Sequence, residues 1–497
     1  MVRKFFFLVL FGLGSMLYAQ KLQKTALSIK ELKRYGHTGR IEGFGSDEKN
    51  YYFFFGCKEF YKKNKDAYFI VDKKFTTVKR CYVAKNQDDR FLKIVLNGND
   101  VIVLVVRDKK KEHQIVKQAY QKTTGKLLSE TVIASFPMSK SGNLIFRTTM
   151  SPDKTKIGLL FMTANKKNSV DTYYVLVLNE ACKIEWRSVN DLELSNESFS
   201  LKNLTLTDKG ELYIAFFSHP ENIKKSINKK SYIDLLYLTE ETKDKLKIPL
   251  EKHETADLSL KPLKNGNIYL AAVLTPDKDS YANEFFSLIL NGNNLNDGGS
   301  QTKEIVEKNT HTKLPARYFI GGDLLYYLQI EDILELENGN IAVLCEQRVF
   351  VSNRGYDGSV FYHTVKGAVS TFFVNGKDAS IEDVSVMERF RIGGYPCRGD
   401  KEEPLFPLVY GNTVAYLFRD KFENHVAPNV KFKKNDNAES TVLNTQESGK
   451  KAKINVLTGK QYPAERSFRD ILFQEEDRLI VITCDNKAGY IETLSLP

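Results

Sequence analysis

Four stretches of this chain repeat one pattern. "VLNGNDVIVLVV" (95–106), "LTLTDKGELYIAFF" (204–217), "LKPLKNGNIYLAAVL" (260–274) and "ILELENGNIAVLCE" (333–346) each place a polar turn of Gly, Asn or Asp before a run of β-branched and aromatic residues. Scored by the first strong apolar residue after the turn, the series runs Tyr52, Val101, Ile157, Leu212, Ile268, Ile341, Val414 and Leu479. The intervals are 49, 56, 55, 56, 73, 73 and 65 residues. Periods of this size belong to repeat architectures, in which each unit is one supersecondary element that cannot bury its apolar face by itself.

Within a period the pattern is strand-like. In the fourth unit "FSLKNLTLT" (199–207) alternates apolar and polar residues, "ELYIAFF" (211–217) is almost wholly apolar, and "SYIDLLYL" (231–238) and "KLKIPL" (245–250) follow after turns. A continuous apolar run suits a strand covered on both faces, and an alternating one a strand with one wet face. The third unit reads likewise at 143–150, 156–163, 172–179 and 183–189. With 25 Tyr and 32 Phe the composition favours strands, and apolar spacing of helical period is not sustained. Four-stranded antiparallel units repeated along a chain pack best radially, which leaves only short edges exposed. The fold class expected is all-β: a β-propeller of eight four-stranded blades, with seven blades as the alternative count. The last unit, from "RSFRDILF" (466–473) to "GYIETLSL" (489–496), is one strand short, and "TALSIKELKRY" (25–35) has no unit of its own. Pairing of this N-terminal strand with the last blade is the expected closure.

The N-terminus bears on address. Arg3 and Lys4 precede an apolar run from Phe5 to Tyr18, and Ala19 is a small residue at a cleavage point. This is the three-part pattern of a secretory signal peptide, too short in its apolar part to span a bilayer. We expect residues 1–19 to be a signal peptide and 20–497 a single propeller domain with no transmembrane segment after cleavage. The expected location is exported, in the periplasm, at the cell surface or outside the cell. A net charge of +11 is mild for 497 residues, and the basic runs 108–113 and 431–436 are interleaved with acids. Nucleic-acid sites want clustered cations with stacking aromatics, so no nucleic-acid partner is expected. Six cysteines without a C-x-x-C pair signal neither a zinc site nor a disulfide framework, and Cys57, Cys345 and Cys484 sit in apolar runs as buried thiols would. Seven scattered histidines show no metal-ligand spacing, and "NGNNLNDGG" (291–299) lacks the acidic spacing of a calcium loop. No metal and no cofactor are expected, and no catalytic residue is identified.

Long intervals mark insertions, expected near 291–323, 346–366 and 420–450. Insertions on a repeat scaffold are where individuality resides. The second reads as an extended hairpin with its tip at Asn353–Gly358, and its Arg348, Arg354, Tyr356, Tyr362 and His363 form the candidate binding set. The segments 310–327 and 391–404 are the other candidates to line a mouth of the ring. An RGD tripeptide at 398–400 is too short to carry an adhesion reading.

"ENGNIAVLCEQ" (337–347), "GAVSTFFVNGKDASI" (367–381) and "NTVAYLFRDKFEN" (412–424) resemble segments of an uncharacterised group of exported proteins from Bacteroidetes-type bacteria. The resemblance covers about 330–497. It implies an exported β-rich protein, and supplies no activity and no catalytic residue. The function expected is therefore a non-catalytic binding scaffold presenting loops to a protein or glycan partner. The alternatives are a carbohydrate-active or other hydrolase or lyase with an axial site, and a structural part of an envelope assembly.

Overall fold

The computed structural model describes residues 27–29, 39–57, 66–83, 89–109, 111–138, 144–163, 171–192, 197–220, 231–250, 253–276, 284–292, 301–305, 328–354, 360–387, 391–392, 406–420, 440–450, 453–456, 467–475, 478–484 and 489–495. Among these, the chain is all-β and forms eight antiparallel sheets. Strand β1 (Leu27–Ile29) stands apart at the start. The first sheet holds β2 (Gly39–Ser46), β3 (Asn50–Cys57), β4 (Ala67–Asp72) and β5 (Val78–Tyr82). The second holds β6 (Arg90–Asn97), β7 (Asp100–Lys109), β8 (Glu112–Gln121) and β9 (Leu127–Pro137), and the third β10 (Leu144–Met150), β11 (Lys156–Thr163), β12 (Asp171–Asn179) and β13 (Ile184–Leu192). The fourth is β14 (Glu197–Leu206), β15 (Leu212–Pro220), β16 (Tyr232–Leu238) and β17 (Lys243–Pro249), and the fifth β18 (His253–Pro262), β19 (Ile268–Pro276), β20 (Glu284–Leu290) and β21 (Gln301–Ile305). The sixth is β22 (Leu328–Glu335), β23 (Ile341–Arg354), β24 (Val360–Val374) and β25 (Ile381–Met387), with β26 (Arg391–Ile392) added to β24. The seventh is β27 (Phe406–Tyr410), β28 (Thr413–Asp420), β29 (Ser440–Gln446) and β30 (Lys453–Val456). The eighth runs β31 (Ser467–Gln474), β32 (Arg478–Cys484), β33 (Gly489–Ser495), and its fourth strand is β1, with Leu27 opposite Ile491 and Ile29 opposite Gly489.

Every second strand falls where the turn-plus-apolar series placed it. These strands are also the most deeply buried: Val101–Val106, Leu212–Phe217 and Ile268–Leu274 are buried at every position, because each lies mid-sheet with another sheet on either face. Two of the described fourth strands are wet. β17 alternates exposed and covered positions, and β9 is exposed over most of its length. Two strands lie inside segments expected as insertions: β21 within 291–323 and β29 within 420–450. β21 reads QTKEI, a polar sheet edge that hydropathy passes over.

Neighbouring sheets pack face to face in chain order. Apolar clusters join the first sheet to the second through Tyr52, Phe54, Val101 and Val103, the second to the third through Leu104, Ile115, Leu159 and Phe161, and the third to the fourth through Leu160, Val175, Ile214 and Phe216. The fourth meets the fifth, the fifth the sixth, and the sixth the seventh in the same way. Stacked rings cross several joints, with Phe54 and Phe91 at 4.3 Å and Phe285 and Phe372 also at 4.3 Å between centroids. Such pairs add about 0.5–1.5 kcal/mol beyond burial. The eighth sheet touches the first through β31 and β2, and the Tyr51 hydroxyl donates to Glu475 Oε1 at 2.7 Å.

First strands lie against one another: β2 on β6, β10 on β14, β14 on β18 and β18 on β22. A register shift recurs in them, between Gly43 and Gly45, Phe91 and Lys93, Leu201 and Asn203, Thr255 and Asp257, Ile330 and Asp332, and Phe468 and Asp470. An extra residue at a bulge bends the strand and raises its twist. The residue after the bulge then ties one first strand to the next. Asp257 Oδ2 accepts the Ile330 amide N–H at 2.9 Å, and Asn203 Nδ2 donates to Ser259 Oγ at 3.3 Å.

The second sheet carries a charged network at its rim. Arg107 Nε donates to Asp89 Oδ1 at 2.8 Å and Nη1 to Glu130 Oε1 at 2.7 Å, while Gln118 Nε2 donates to Glu130 Oε2 at 2.9 Å. The guanidinium first, then the Gln118 amide, hold the Glu130 carboxyl down at about 2. The folded value lies below the ordinary 4.5, so this stabilisation is whole above 4.5 and lost as pH falls towards 2. Solvent screening at the rim keeps it small. We expect the urea midpoints of wild type and Glu130→Gln to differ by a constant gap from neutrality down to about pH 5, and the gap to close below that. A gap unchanged down to pH 2 would show that the ion pair does not contribute.

Candidate functional site

The turns that follow β14, β18 and β22 are built to one plan. In "TDKG", "KNGN" and "ENGN" the glycines Gly210, Gly266 and Gly339 take φ of +90°, +88° and +82°, a left-handed conformation in which a side chain is strained. Asx contacts hold the rest: Asn265 Oδ1 accepts the Asn267 amide N–H, and Asn338 Oδ1 the Asn340 amide N–H, each at 3.0 Å.

These turns also latch sheet to sheet. The Asp153 amide donates to Asp208 Oδ1, the Lys264 amide to Glu335 Oε2 and the Asn338 amide to Asn412 Oδ1, each at 2.9 Å. The three bonds tie the third sheet to the fourth, the fifth to the sixth and the sixth to the seventh.

At this end lies a cavity of about 410 Å³. Its wall takes Pro152 from the third sheet and Thr207, Asp208, Lys209 and Glu211 from the fourth. The fifth sheet supplies Lys261, Pro262, Leu263, Lys264 and Gly266; the sixth supplies Leu334 and Glu335, and the seventh Val409. The volume lies within the range of ordinary ligand sites. Its carboxylates are engaged. Besides the Asp208 and Glu335 latches, Glu211 accepts the Thr207 hydroxyl at 3.0 Å and the Tyr237 hydroxyl at 3.3 Å. Burial first, and then the charge of Glu211, push the Tyr237 phenol up to about 12. Lys261 and Lys264 make no ion pair or side-chain hydrogen bond among the described residues. Burial raises the Asp332 carboxyl of β22, while the nearby charge of Lys261 opposes the shift.

The expected binding set lies elsewhere. Arg348 and Arg354 are in β23, Tyr362 and His363 in β24, and Tyr356 lies outside the described residues. Register sets Arg348 across from Lys366, Tyr362 from Ser352, His363 from Val351 and Arg354 from Val360, so no two of them are cross-strand partners. The hairpin leaves the far end of β23, opposite the turn at Asn338–Gly339, so it projects away from the cavity. The segments 310–327 and 393–404 also lie outside the described residues. Cys81, Cys182 and Cys345 are buried and free; burial pushes the Cys345 thiol well above the usual range. No described helix is long and apolar enough to cross a membrane.

The cavity residues escaped sequence reading because each unit contributes only one to five of them, from a turn or the end of a first strand, and these stand some 55 to 75 residues apart. The one signal was the recurrence of the turns, which reads first as structural punctuation.

No protein-family model matches the chain, and no curated protein does. Among solved structures it is similar to the polysaccharide lyase Uly1, at 10% identity and TM-score 0.39, over 84% of this chain and 92% of that one. It is similar to the β-propeller domain of the Trilobed protease from Pyrococcus furiosus, at 10% identity and TM-score 0.33, over 83% and 97%. Chaetomium thermophilum Sqt1, solved bound to the N-terminus of ribosomal protein L10, is similar at 9% identity and TM-score 0.40, over 92% and 96%. Likenesses at this level carry no information on activity.

Proposed function

We propose that the eight sheets are the blades of one closed β-propeller, completed by β1 in the last blade, and that the protein is exported and works as a non-catalytic scaffold that binds a protein partner at its turn-lined cavity. The observation that carries this reading is the convergence of five successive sheets on one cavity, the third to fifth through turns and the sixth and seventh through the ends of their first strands. Sheets stacked in a straight row would keep equivalent turns apart, whereas sheets curving round an axis bring them together. Packing of the eighth sheet on the first supports closure, which adds the joint between the seventh sheet and the eighth. Carboxylates tied to backbone amides and hydroxyls suit a rigid binding wall better than an acid–base pair, which needs a group positioned to exchange a proton with substrate.

The test is capture of a partner from envelope extract by wild type, by Pro152→Trp and by a chain lacking the hairpin 348–366. Pro152 is an exposed turn residue on the cavity wall, so the substitution fills the site without disturbing the core. We expect a partner held by wild type to be lost from Pro152→Trp and kept by the hairpin deletion. Loss on hairpin deletion only would move the binding surface to the other end. Steady turnover of a polysaccharide panel would replace the scaffold reading with an axial hydrolase or lyase.

A further inference from the structure

The recurring turns also differ from one another in a way that bears on covalent chemistry. Five asparagines stand directly before a glycine: Asn97, Asn265, Asn291, Asn338 and Asn375. In such a pair the glycine backbone nitrogen can attack the asparagine Cγ, because the next residue has no Cβ to stand in the way. The new bond joins that nitrogen to Cγ. The bond from Cγ to Nδ2 breaks, and ammonia leaves with the proton of the glycine amide. The succinimide so formed takes up one water and opens to aspartate or isoaspartate. The reaction needs a glycine N–H free to give up its proton and a backbone free to rotate.

The fold withholds these conditions from four of the pairs. The Gly266 and Gly339 amides donate to the Leu263 and Leu336 carbonyls at 2.9 and 3.0 Å, and Asx bonds pin the Asn265 and Asn338 side chains. Asn375 is held at both ends of its amide: Oδ1 accepts the Lys377 N–H at 2.9 Å and Nδ2 donates to Glu382 Oε1 at 3.0 Å. Gly376 packs against the Gly339 carbonyl. Gly292 is buried against the Gly266 carbonyl, and its own carbonyl accepts the Tyr213 hydroxyl. Asn97 and Gly98 escape all of this. Gly98 is exposed in the turn between β6 and β7, its amide donates no hydrogen bond among the described residues, and no atom lies within 4 Å of the place a Cβ would take. The Asn97 side chain makes one bond among the described residues, from Nδ2 to the Glu180 carbonyl at 3.4 Å, longer than usual.

We propose that Asn97 is the site at which this chain deamidates, and that the change is a one-way release of a contact between the second sheet and the third. The nitrogen that leaves is the donor to Glu180. The product sets a carboxylate in its place, facing a carbonyl oxygen to which it cannot donate. Isoaspartate also lengthens the backbone by one carbon at the end of β6.

The test incubates the full chain in mildly alkaline buffer, once folded and once unfolded in urea. Both use isotope-labelled water, which marks each conversion with one solvent oxygen, and peptide mapping by mass spectrometry follows the five asparagines. Opening two hydrogen bonds slows a reaction by about tenfold, so in the folded chain we expect Asn97 to convert faster than each of the other four by about that factor. In the unfolded chain the five should react at similar rates, because only neighbouring residues then act. Gly98→Ala should slow conversion at Asn97 and leave the other four unchanged. Asn97→Asp, which reproduces one product, should lower the urea midpoint. Faster conversion at any of the other four in the folded chain, or the same order of rates folded and unfolded, overturns the assignment. No conversion at Asn97 in the time the unfolded chain takes overturns it too. A midpoint unchanged by Asn97→Asp overturns the release of the contact.

Discussion

Alanine in place of Gly292 is expected to lower stability by about 3 kcal/mol, and alanine in place of Gly376 by a similar amount. Neither glycine is placed by a left-handed backbone; what each needs is the absence of a Cβ. A Cβ on Gly292 would fall far inside van der Waals contact distance of the Gly266 carbonyl oxygen, and one on Gly376 far inside that of the Gly339 carbonyl oxygen. In both cases the neighbour is backbone in a latched turn, so it cannot swing aside as a side chain would. The Gly292 carbonyl is held as well, accepting the Tyr213 hydroxyl of the preceding sheet. The control is Gly98→Ala. Gly98 has φ of +55° with no atom within 4 Å of an added Cβ, so its substitution should cost only the left-handed penalty of about 1 kcal/mol. Urea midpoints followed by far-UV circular dichroism, and by the single tryptophan, measure all three. Trp186 is a suitable reporter because its Nε1 donates to the Gly210 carbonyl at 3.0 Å across the joint between the third and fourth sheets. Equal losses at Gly98 and Gly292 would mean that the turn-on-turn contact does not constrain the fold.

Thr371→Val is expected to cost about 2–3 kcal/mol although it conserves shape. Tyr416 donates its hydroxyl proton to Thr371 Oγ1, which donates in turn to Gln446 Oε1. Thr371 and Tyr416 are 0% exposed and Gln446 1%, at the joint between the sixth and seventh sheets. Valine removes the central hydroxyl and strands a phenol and an amide oxygen away from water. Tyr416→Phe should cost about 1 kcal/mol, since Thr371 still donates to Gln446. The double variant should lose about 1 kcal/mol less than the two singles together, because phenylalanine removes one of the stranded groups. Strict additivity in that cycle would show that water or a rearranged side chain takes over the bonds.

These predictions lie at different distances from the primary structure. The second strands were legible: the eight apolar residues from Tyr52 to Leu479 each begin or lie within the strand that a polar turn introduces, and those strands became the buried middles of their sheets. The four strands of the third and fourth units were legible to within two or three residues at their ends. β21 was not, because QTKEI, an edge strand of its sheet, has no apolar alternation to read. The bulges were not either. Leu201–Lys202–Asn203 and Ile330–Glu331–Asp332 share no residue type that marks a bulge, and the register shift appears only against the partner strand. The hairpin was read from a long interval, and β23 and β24 do extend to Arg354 and Val360. As a candidate site it drew attention to one end of the molecule while the cavity lies at the other.

The sequence by itself determined what depends on neighbours along the chain: strand periodicity, the positions of the turns, the glycines at left-handed φ and the recurrence that makes the fold modular. Only the tertiary structure decided which turns meet. Pro152, Lys209, Lys264, Glu335 and Val409 belong to five separate units and share one wall because sheet packs on sheet with its first strand against the next. Local propensity acts over a few residues, whereas the cavity is set by which sheets pack on which, and no single stretch of sequence carries that.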